Sequence, residues 1–451
     1  LSFLDYLLPR SRSAKQSQAR KKTPEHRNEA RIYTRDEHSV SRKQISENAL
    51  KVLYRLHRAG YQAFLVGGGV RDILLGLEPK DFDIATDAHP EEIRELFRNS
   101  RLIGRRFRLA HVRFGREVIE VATFRASHDG DADGASITDT GRILRDNVYG
   151  TLDDDVWRRD FTVNALYYNI ADYSVVDYVG GVEDIRARRL RLIGDPAQRY
   201  REDPVRMLRA IRFAAKLDLE IDEPTRRAFT DYGDLLDEIA PARLFDESLK
   251  LLHSGQGLAT FEAMREYGLF EHLFPLAEAG FAGEGYELKL VQAALANTDE
   301  RIRDGKPVTP AFIFAAILWG VVCARREDLI ADGMNPGDAA RVAADDVVAE
   351  QVRRVAIPRR FTTVSREIWG LQPRLVKRPQ KRAAKLLEHP RFRAAYDFLL
   401  LRARAGEPLE DAAQWWTDLQ ETDGDGRAEM LDSLRDAPRK RQRPRRRRRE
   451  R

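Results

Sequence analysis

The chain is 451 residues long, with 33% charged and 42% hydrophobic residues and a net charge of +6. This length exceeds what one core can hold and predicts about two to four domains. No apolar run reaches the roughly 18 residues that span a bilayer, and the single cysteine, Cys323, excludes an internal disulfide or a cysteine-based metal cluster. A cytoplasmic protein without a transmembrane segment is expected.

At the N-terminus SFLDYLLPR is too short and carries Asp5, so no secretory signal is predicted. Arg10 to Lys22, RSRSAKQSQARKK, adds six basic residues and no acid. Such a block repels itself and buries no core, so residues 1–43 read as a basic, disordered arm. Ser41 to Gly60 then places Ile45, Ala49, Val52, Leu53 and Leu56 at helical spacing, with Gly60 as the stop. YQAFLVGGG reads as a strand running into glycines, VRDILLG as a short helix from Val70, and KDFDIAT as a second strand. HPEEIRELFRNS is a helix entered through Pro90, with Glu91 and Glu92 suiting its dipole. RFRLAHVRFG and EVIEVATFR predict a hairpin turning at Gly115, and FTVNALYYNI with SVVDYVGG closes a mixed lobe over residues 44–195. Within it, Ala126 to Gly141 is polar and glycine-rich and is predicted to be a loop. Its DGDADG imitates a calcium loop, but the twelfth position falls on Thr140 where a bidentate glutamate is needed, so no calcium site is expected.

From about Pro196 the strand signals fade and helix-period segments follow one another, punctuated by glycine and proline. They divide into units at 196–256, 257–335 and 336–425. AFIFAAILWGVVCA, Ala311 to Ala324, reads as a buried helix. The last thirteen residues, RKRQRPRRRRRER, carry a net +9, which leaves −3 for everything before them. Residues 426–451 are therefore a cationic, disordered tail, and a block this dense is expected to bind a polyanion, because neutralising phosphates releases counterions.

The chemistry centres on FLVGGGVRDILLGLEPKDFDIAT. In a strand Asp81 and Asp83 point the same way, about 7 Å apart, a workable grip for a divalent metal. Alone, the pair is better explained as two solvated acids. The preceding glycines and helix start bring free N–H groups and a positive helix end to the same place, beside Arg71, which suits a triphosphate. There is no Walker-type signature and no G-x-G-x-x-G. Glu120, interrupting an apolar strand, and Asp160, beside Arg158 and Arg159, are both candidates for a third carboxylate, and the sequence leaves the choice open.

G-G-x-V-R-D followed by D-x-D, then RRDFTVNAL and REDPVRMLRAIRFA, resembles the bacterial branch of the polymerase-beta-type nucleotidyltransferases, which contains tRNA CCA-adding enzymes and bacterial poly(A) polymerases. Two features are similar to the poly(A) polymerases: LIGRRFRLAHVRF after D-x-D, and a C-terminal extension running through QWW to the arginine tail. The resemblance implies an α+β nucleotidyltransferase head, a mixed sheet with helices at 44–195, followed by an all-helical neck, body and RNA-binding extension. It implies Asp81 and Asp83 as Mg²⁺ ligands, with Mn²⁺ as the alternative ion, and Asp160 as a further active-site acid. Gly68, Gly69 and Arg71 would hold the triphosphate of ATP, the substrate, and Arg159 and Asn164 would line the same pocket. Glu202, Asp203, Arg206 and Arg209 correspond to the nucleotide-base motif; on one helix 202, 206 and 209 share a face, and without the resemblance they would read as an ion-pair ladder.

The implied activity is template-independent transfer of AMP from ATP to RNA 3′ ends, making poly(A) tails. The alternatives are a CCA-adding tRNA nucleotidyltransferase and a non-catalytic RNA-binding scaffold. Arg105, Arg106 and Arg108 are expected to help hold phosphate, and RNA contacts are expected from Arg105 and Arg106, from Lys381, Arg382, Lys385, Arg391 and Arg393, and from the tail, including Arg445. Phe392, Tyr396, Trp415 and Trp416 at helical spacing read first as core. The expected partners are RNA 3′ ends, with RNA-decay or RNA-chaperone proteins as further candidates, and the expected state is a monomer.

Overall fold

A computed structural model of the chain describes residues 29–104, 108–126, 135–137, 143–146, 148–281, 285–377, 383–424, 426–427 and 429–431. Of the disordered arm expected at 1–43, residues 1–28 lie outside these residues, but Arg31–Tyr33 is an edge strand of the main sheet and Arg42–Gln44 a 3₁₀ turn, so the arm is shorter than its charge predicts; of the tail expected at 426–451, residues 426–427 and 429–431 are described and the arginine run lies outside.

Strands β1 (Arg31–Tyr33), β2 (Ala63–Val66), β3 (Asp83–Thr86), β4 (Ser100–Ile103), β5 (Leu109–Phe114) and β6 (Glu117–Thr123) precede a small hairpin, β7 (Ala135–Ile137) and β8 (Ile143–Asp146). After it come β9 (Leu166–Asn169) and β10 (Val175–Asp177). The main sheet has eight strands in the order β1-β10-β9-β2-β3-β6-β5-β4. Its neighbours are antiparallel except β3 and β6, which run parallel. The predicted hairpin is β5–β6, with Gly115 at φ 62° in its turn. The loop expected at 126–141 is partly structured, since β7 occupies its second half and pairs with β8.

The two-residue period of each strand divides the sheet into two faces. Leu65, Ile84, Val121 and Tyr168 join the main core, which continues into the helical part, whereas Phe64, Val66, Ala85 and Tyr167 form a smaller cluster with Val156 and Ile193. Asp83 and Glu120 share the face of this smaller cluster, because each stands two residues or one strand from its members.

The helices of this lobe are α1 (Glu47–Arg58), α2 (Gly68–Leu74), α3 (Pro90–Leu96), α4 (Leu152–Trp157) and α5 (Gly181–Arg186). Helix α1 starts later than its apolar spacing predicts. Ser41 caps a separate 3₁₀ turn (Arg42–Gln44) in a capping box, Ile45 is extended, and Ser46 then caps α1 through Ala49 N. Two serines five residues apart each stop the backbone from continuing.

Beyond Pro196 the described residues are helical apart from the two-residue strand β12 (Glu220–Ile221), which pairs with β11 (Arg189–Leu190) and ties the helices to the head. Helices α6 (Pro196–Glu202), α7 (Val205–Leu217), α8 (Glu223–Tyr232) and α9 (Pro241–Leu252) form the first tier. The apolar segment at 311–324 lies in a buried helix, Pro310–Ala331, and no helix among the described residues is long and apolar enough to cross a membrane. A second core joins Leu375, Phe392, Tyr396 and Trp416, so these aromatic residues hold the extension together.

Candidate active site

Strand β2 ends at Val66 and the chain turns at Gly67, whose φ of 67° and ψ of −128° suit only glycine. A Cβ there would stand 3.4 Å from Arg159 Nη1. Helix α2 begins at Gly68, two residues before the expected start, and the chain returns as β3, pairing Val66 with Asp83. Asp81 lies just before β3 rather than within it. The expected strand from Lys80 is therefore shorter, but the two aspartates remain two residues apart at the end of the sheet.

The parallel junction sets Asp83 directly opposite Glu120. On its other side Glu120 faces His111, whose Nε2 lies 3.2 Å from Glu120 Oε1. Asp83 is exposed, at the end of a strand flanked on both sides. Desolvation, then the charge of Glu120, push its carboxyl up to about 6; Arg159 opposes and Asp81 adds to the rise. Asp81 and Asp83 have no hydrogen-bond or ion-pair partner among the described residues. Two acids without a neutralising partner beside a third, Glu120, fit a divalent cation, which would remove their repulsion.

Asp160 is a different kind of acid. Oδ2 accepts from Arg209 Nη2 at 2.5 Å and Nε at 2.8 Å, while Oδ1 accepts from the Phe161 N–H at 2.8 Å and Asn164 Nδ2 at 3.1 Å. Burial works against ionisation, but the Arg209 guanidinium outweighs it and holds the carboxyl well below the usual range. Asn164, buried, passes the connection on: its Oδ1 accepts from Arg71 Nη1 at 2.6 Å. Arg71 is only 4% exposed, and its Nε and Nη2 donate to Asp72. Arg71 thus belongs to a part-buried Asp72–Arg71–Asn164–Asp160–Arg209 chain, rather than standing free beside the glycines as its sequence position implies.

Arg159 is fixed from two sides. Its Nε donates to Tyr167 Oη at 2.6 Å and its Nη2 to Asp155 Oδ2 at 3.0 Å, and Tyr167 itself donates to Asp155 at 2.6 Å. Neither Asp155 nor Tyr167 carries a motif signal. The only hint in the sequence is a second aspartate one helical turn before Arg159.

The base-motif residues do not share one helix. Glu202 ends α6, Asp203 is extended at φ −154° and ψ 93°, and α7 begins after Pro204. The residue before proline is biased away from helix, which breaks the i, i+4, i+7 register. Glu202 still reaches Arg206 at 2.9 Å, and Arg199 at 2.5 Å. Asp203 pairs with Arg243 from α9 at 2.7 Å, and Arg209 turns to Asp160. Arg199 links the tiers, donating to the carbonyls of Arg158 and Arg159 at 2.9 and 2.6 Å.

Positive charge accumulates here. Burial, then Arg125, Arg199 and Arg206, push Arg158 down to about 9, and burial, then Arg206, push Arg199 down to about 10. Burial, then Arg209, lower Arg212, whose Nε has no hydrogen-bond partner among the described residues. Guanidinium groups crowded together in this way favour an anion by the same logic by which the acids favour a cation.

Of the expected RNA contacts, Arg105, Arg106, Lys381, Arg382 and Arg445 lie outside the described residues. Arg108 pairs with Glu91 at 2.7 Å, Arg391 with Glu367 at 2.7 Å, and Arg393 with Asp397 at 3.0 Å.

A sheet that carries paired acids at one junction, a glycine turn before them and an arginine-rich recess beside them defines a nucleotidyltransferase head. Family models match three stretches: "Poly A polymerase head domain" at residues 63–191, "Probable RNA and SrmB- binding site of polymerase A" at 218–281, and "Polymerase A arginine-rich C-terminus" at 332–450. The chain is 51% identical to poly(A) polymerase I of Salmonella typhimurium strain LT2 over 427 residues, 92% of each protein. To the CCA-adding enzyme of Lactobacillus helveticus strain DPC 4571 it is 38% identical over 216 residues, 47% of this chain and 52% of that protein. A crystal structure of Bacillus stearothermophilus CCA-adding enzyme in complex with CTP superposes with a TM-score of 0.54 at 23% identity, covering 86% of this chain and 90% of that one, a likeness of fold. This chain belongs to the bacterial poly(A) polymerase I family and is a nucleotidyltransferase.

Proposed function

We propose that this chain adds AMP from ATP to the 3′-hydroxyl of RNA without a template, releasing pyrophosphate and building poly(A) tails. The observation that carries the reading is the pairing of Asp83 with Glu120 across the parallel β3–β6 junction, beside an arginine-rich recess. Support for RNA adenylation over CCA addition comes from the extent of likeness, which runs through the C-terminal extension for the poly(A) polymerase I relative and covers about half of this chain for the CCA-adding one.

Asp81 and Asp83, with Glu120 alongside, would hold Mg²⁺, or Mn²⁺ as the alternative. When bound, such an ion lowers the pKa of the attacking hydroxyl and neutralises charge developing on the phosphates. The residues supply position and charge. The 3′-oxygen of RNA forms a bond to the α-phosphorus while the bond to the bridging oxygen of the leaving pyrophosphate breaks. Gly68 and Gly69 leave room for the triphosphate, and Arg159, clamped by Tyr167 and Asp155, presents a fixed guanidinium towards the acids. Glu202, Asp203 and Arg206 are assigned to the adenine edge, with Arg243 and Arg199 holding two of them in place. Arg209, committed to Asp160, positions this tier against the head, as do Asp160 and Asn164. Arg71 acts in the same way.

RNA enters as the partner at its 3′ end, held by the basic extension and tail. A cytoplasmic, monomeric enzyme fits this role. The test is to incubate purified protein and Mg²⁺ with a generic single-stranded RNA and each nucleoside triphosphate in turn. Long extension with ATP alone is expected; addition confined to tRNA and stopping after CCA would replace this reading with the tRNA one.

A further inference from the structure

The face of the sheet opposite the acids carries a second polar recess. Tyr167 points into the Arg159 network, so Tyr168, the next residue, points the other way. It there floors an open cavity of about 490 Å³ between the 3₁₀ turn at Arg42–Gln44, helix α1 and the β9–β10 turn. Arg35, Arg42 and Lys43 line it with Tyr54, Tyr168 and Tyr173. The three cations are exposed and make no ion pair among the described residues. The acids of this loop, Asp36 and Glu37, stay ionised and accept hydrogen bonds from Thr34 instead of pairing with the three cations.

The recess is built. The Ser41–Gln44 capping box fixes the turn that presents Arg42 and Lys43. Arg42 Nη1 donates to Tyr54 Oη at 2.9 Å and Tyr173 Oη at 3.3 Å, and its guanidinium lies 4.5 Å over the Tyr173 ring. Tyr173 holds φ 65°, a left-handed backbone that a bulky side chain rarely adopts, and His38 Nε2 anchors its carbonyl at 3.0 Å. Backbone strain of this kind gathers at ligand clamps.

We propose that this recess binds a nucleotide unit of a single-stranded RNA, as an accessory site on the head distant from the acids. Three exposed cations outside any ion pair match phosphate, the half-buried rings of Tyr54 and Tyr173 offer edges and one open face for a base while buried Tyr168 closes the bottom, and the cavity accommodates about one nucleotide. The choice of RNA rests on the RNA-extending activity proposed above, and because the recess lies on the far face, it engages the body of a long RNA and not its 3′ end.

The test compares full-length wild type with Arg42→Ala/Lys43→Ala and with Tyr173→Asn, since asparagine tolerates the left-handed backbone while removing the ring. Binding of a long single-stranded RNA is followed by fluorescence anisotropy over a salt series, and AMP addition to a short oligo(A) primer is measured alongside. The double variant is expected to bind the long RNA about 5-fold to 10-fold more weakly, with the log–log salt slope shallower by about 1.4, two single-strand phosphate contacts. Tyr173→Asn should weaken binding with the slope unchanged. Short-primer rates and the KM for ATP should stay at wild-type values in both. Wild-type affinity and slope in the double variant would overturn the proposal. So would an equal loss in Arg94→Ala/Arg98→Ala, exposed cations outside the recess, or the loss of an ATP-binding equivalent in place of RNA affinity. Failure of wild type to extend the short primer would refute the polymerase reading and leave the binding comparison standing.

Discussion

Two acids that look interchangeable in the sequence, Glu120 and Asp160, occupy opposite electrostatic settings. Glu120 faces Asp83 across a parallel strand pair, and its charge adds to the desolvation that pushes that carboxyl up to about 6. Asp160 is gripped by Arg209, Asn164 and a backbone N–H, and is driven down. A carboxylate whose oxygens are all taken is a strut. Carboxylates left to repel one another form a site that a cation completes. On the proposed reading this difference separates groups that would act on substrate from groups that hold the enclosure in shape, and it can be broken from either side.

The largest effect is expected from Asp83→Ala, which should lower AMP incorporation roughly a thousandfold or more, the scale of losing an electrostatic centre. Its melting temperature should not fall, because an unpartnered charge is removed. Asp160→Ala leaves the part-buried Arg209 uncompensated, and losing such charge-assisted hydrogen bonds costs about 1–3 kcal/mol. Denaturant unfolding should record that loss, whereas an unchanged midpoint would show that the Arg209 contact adds nothing. Glu120→Gln keeps shape and deletes one charge, so a rate loss of about tenfold to a hundredfold is expected, with the metal requirement shifted to higher concentration.

The smallest effect is a pH dependence. The Asp83 carboxyl is raised in the folded protein, so its charge destabilises the fold above about pH 6, and the cost disappears once pH falls below the unfolded value. Metal-free Asp83→Asn should therefore be more stable than wild type at neutral pH, by at most about 1 kcal/mol because the exposed tip is screened. The gap should close towards pH 4. A gap that widened on acidification would contradict the raised carboxyl. Asp160 has the opposite sign: its contribution persists at pH 5 and is lost only as acid overtakes a lowered pKa.

Much of the site was legible because its chemistry is local. Three glycines, a D-x-D and alternating apolar residues fix a strand, a turn and a second strand within about two dozen positions. Glu120 was readable as an odd acid in an apolar strand, but its partner was not, since β3 and β6 meet only through a parallel crossover. Arg243 reaches Asp203 from forty residues away, and Arg199 holds carbonyls about as far behind it. Such contacts leave no periodic trace. Asp155 and Tyr167 sit among ordinary helix and strand residues, and only the fold turns them towards Arg159. The break at Asp203 is another matter. Pro204 signalled it, and the helical spacing of Glu202, Arg206 and Arg209 masked a rule that proline imposes on its predecessor.

Mn²⁺ binding to the full-length protein, followed by electron paramagnetic resonance, decides whether the unpartnered Asp81 and Asp83 or the clamped Asp160 hold the ion. Asp83→Asn should lose the bound signal and Asp160→Asn should retain it. Retention by Asp83→Asn together with loss by a folded Asp160→Asn would contradict the account.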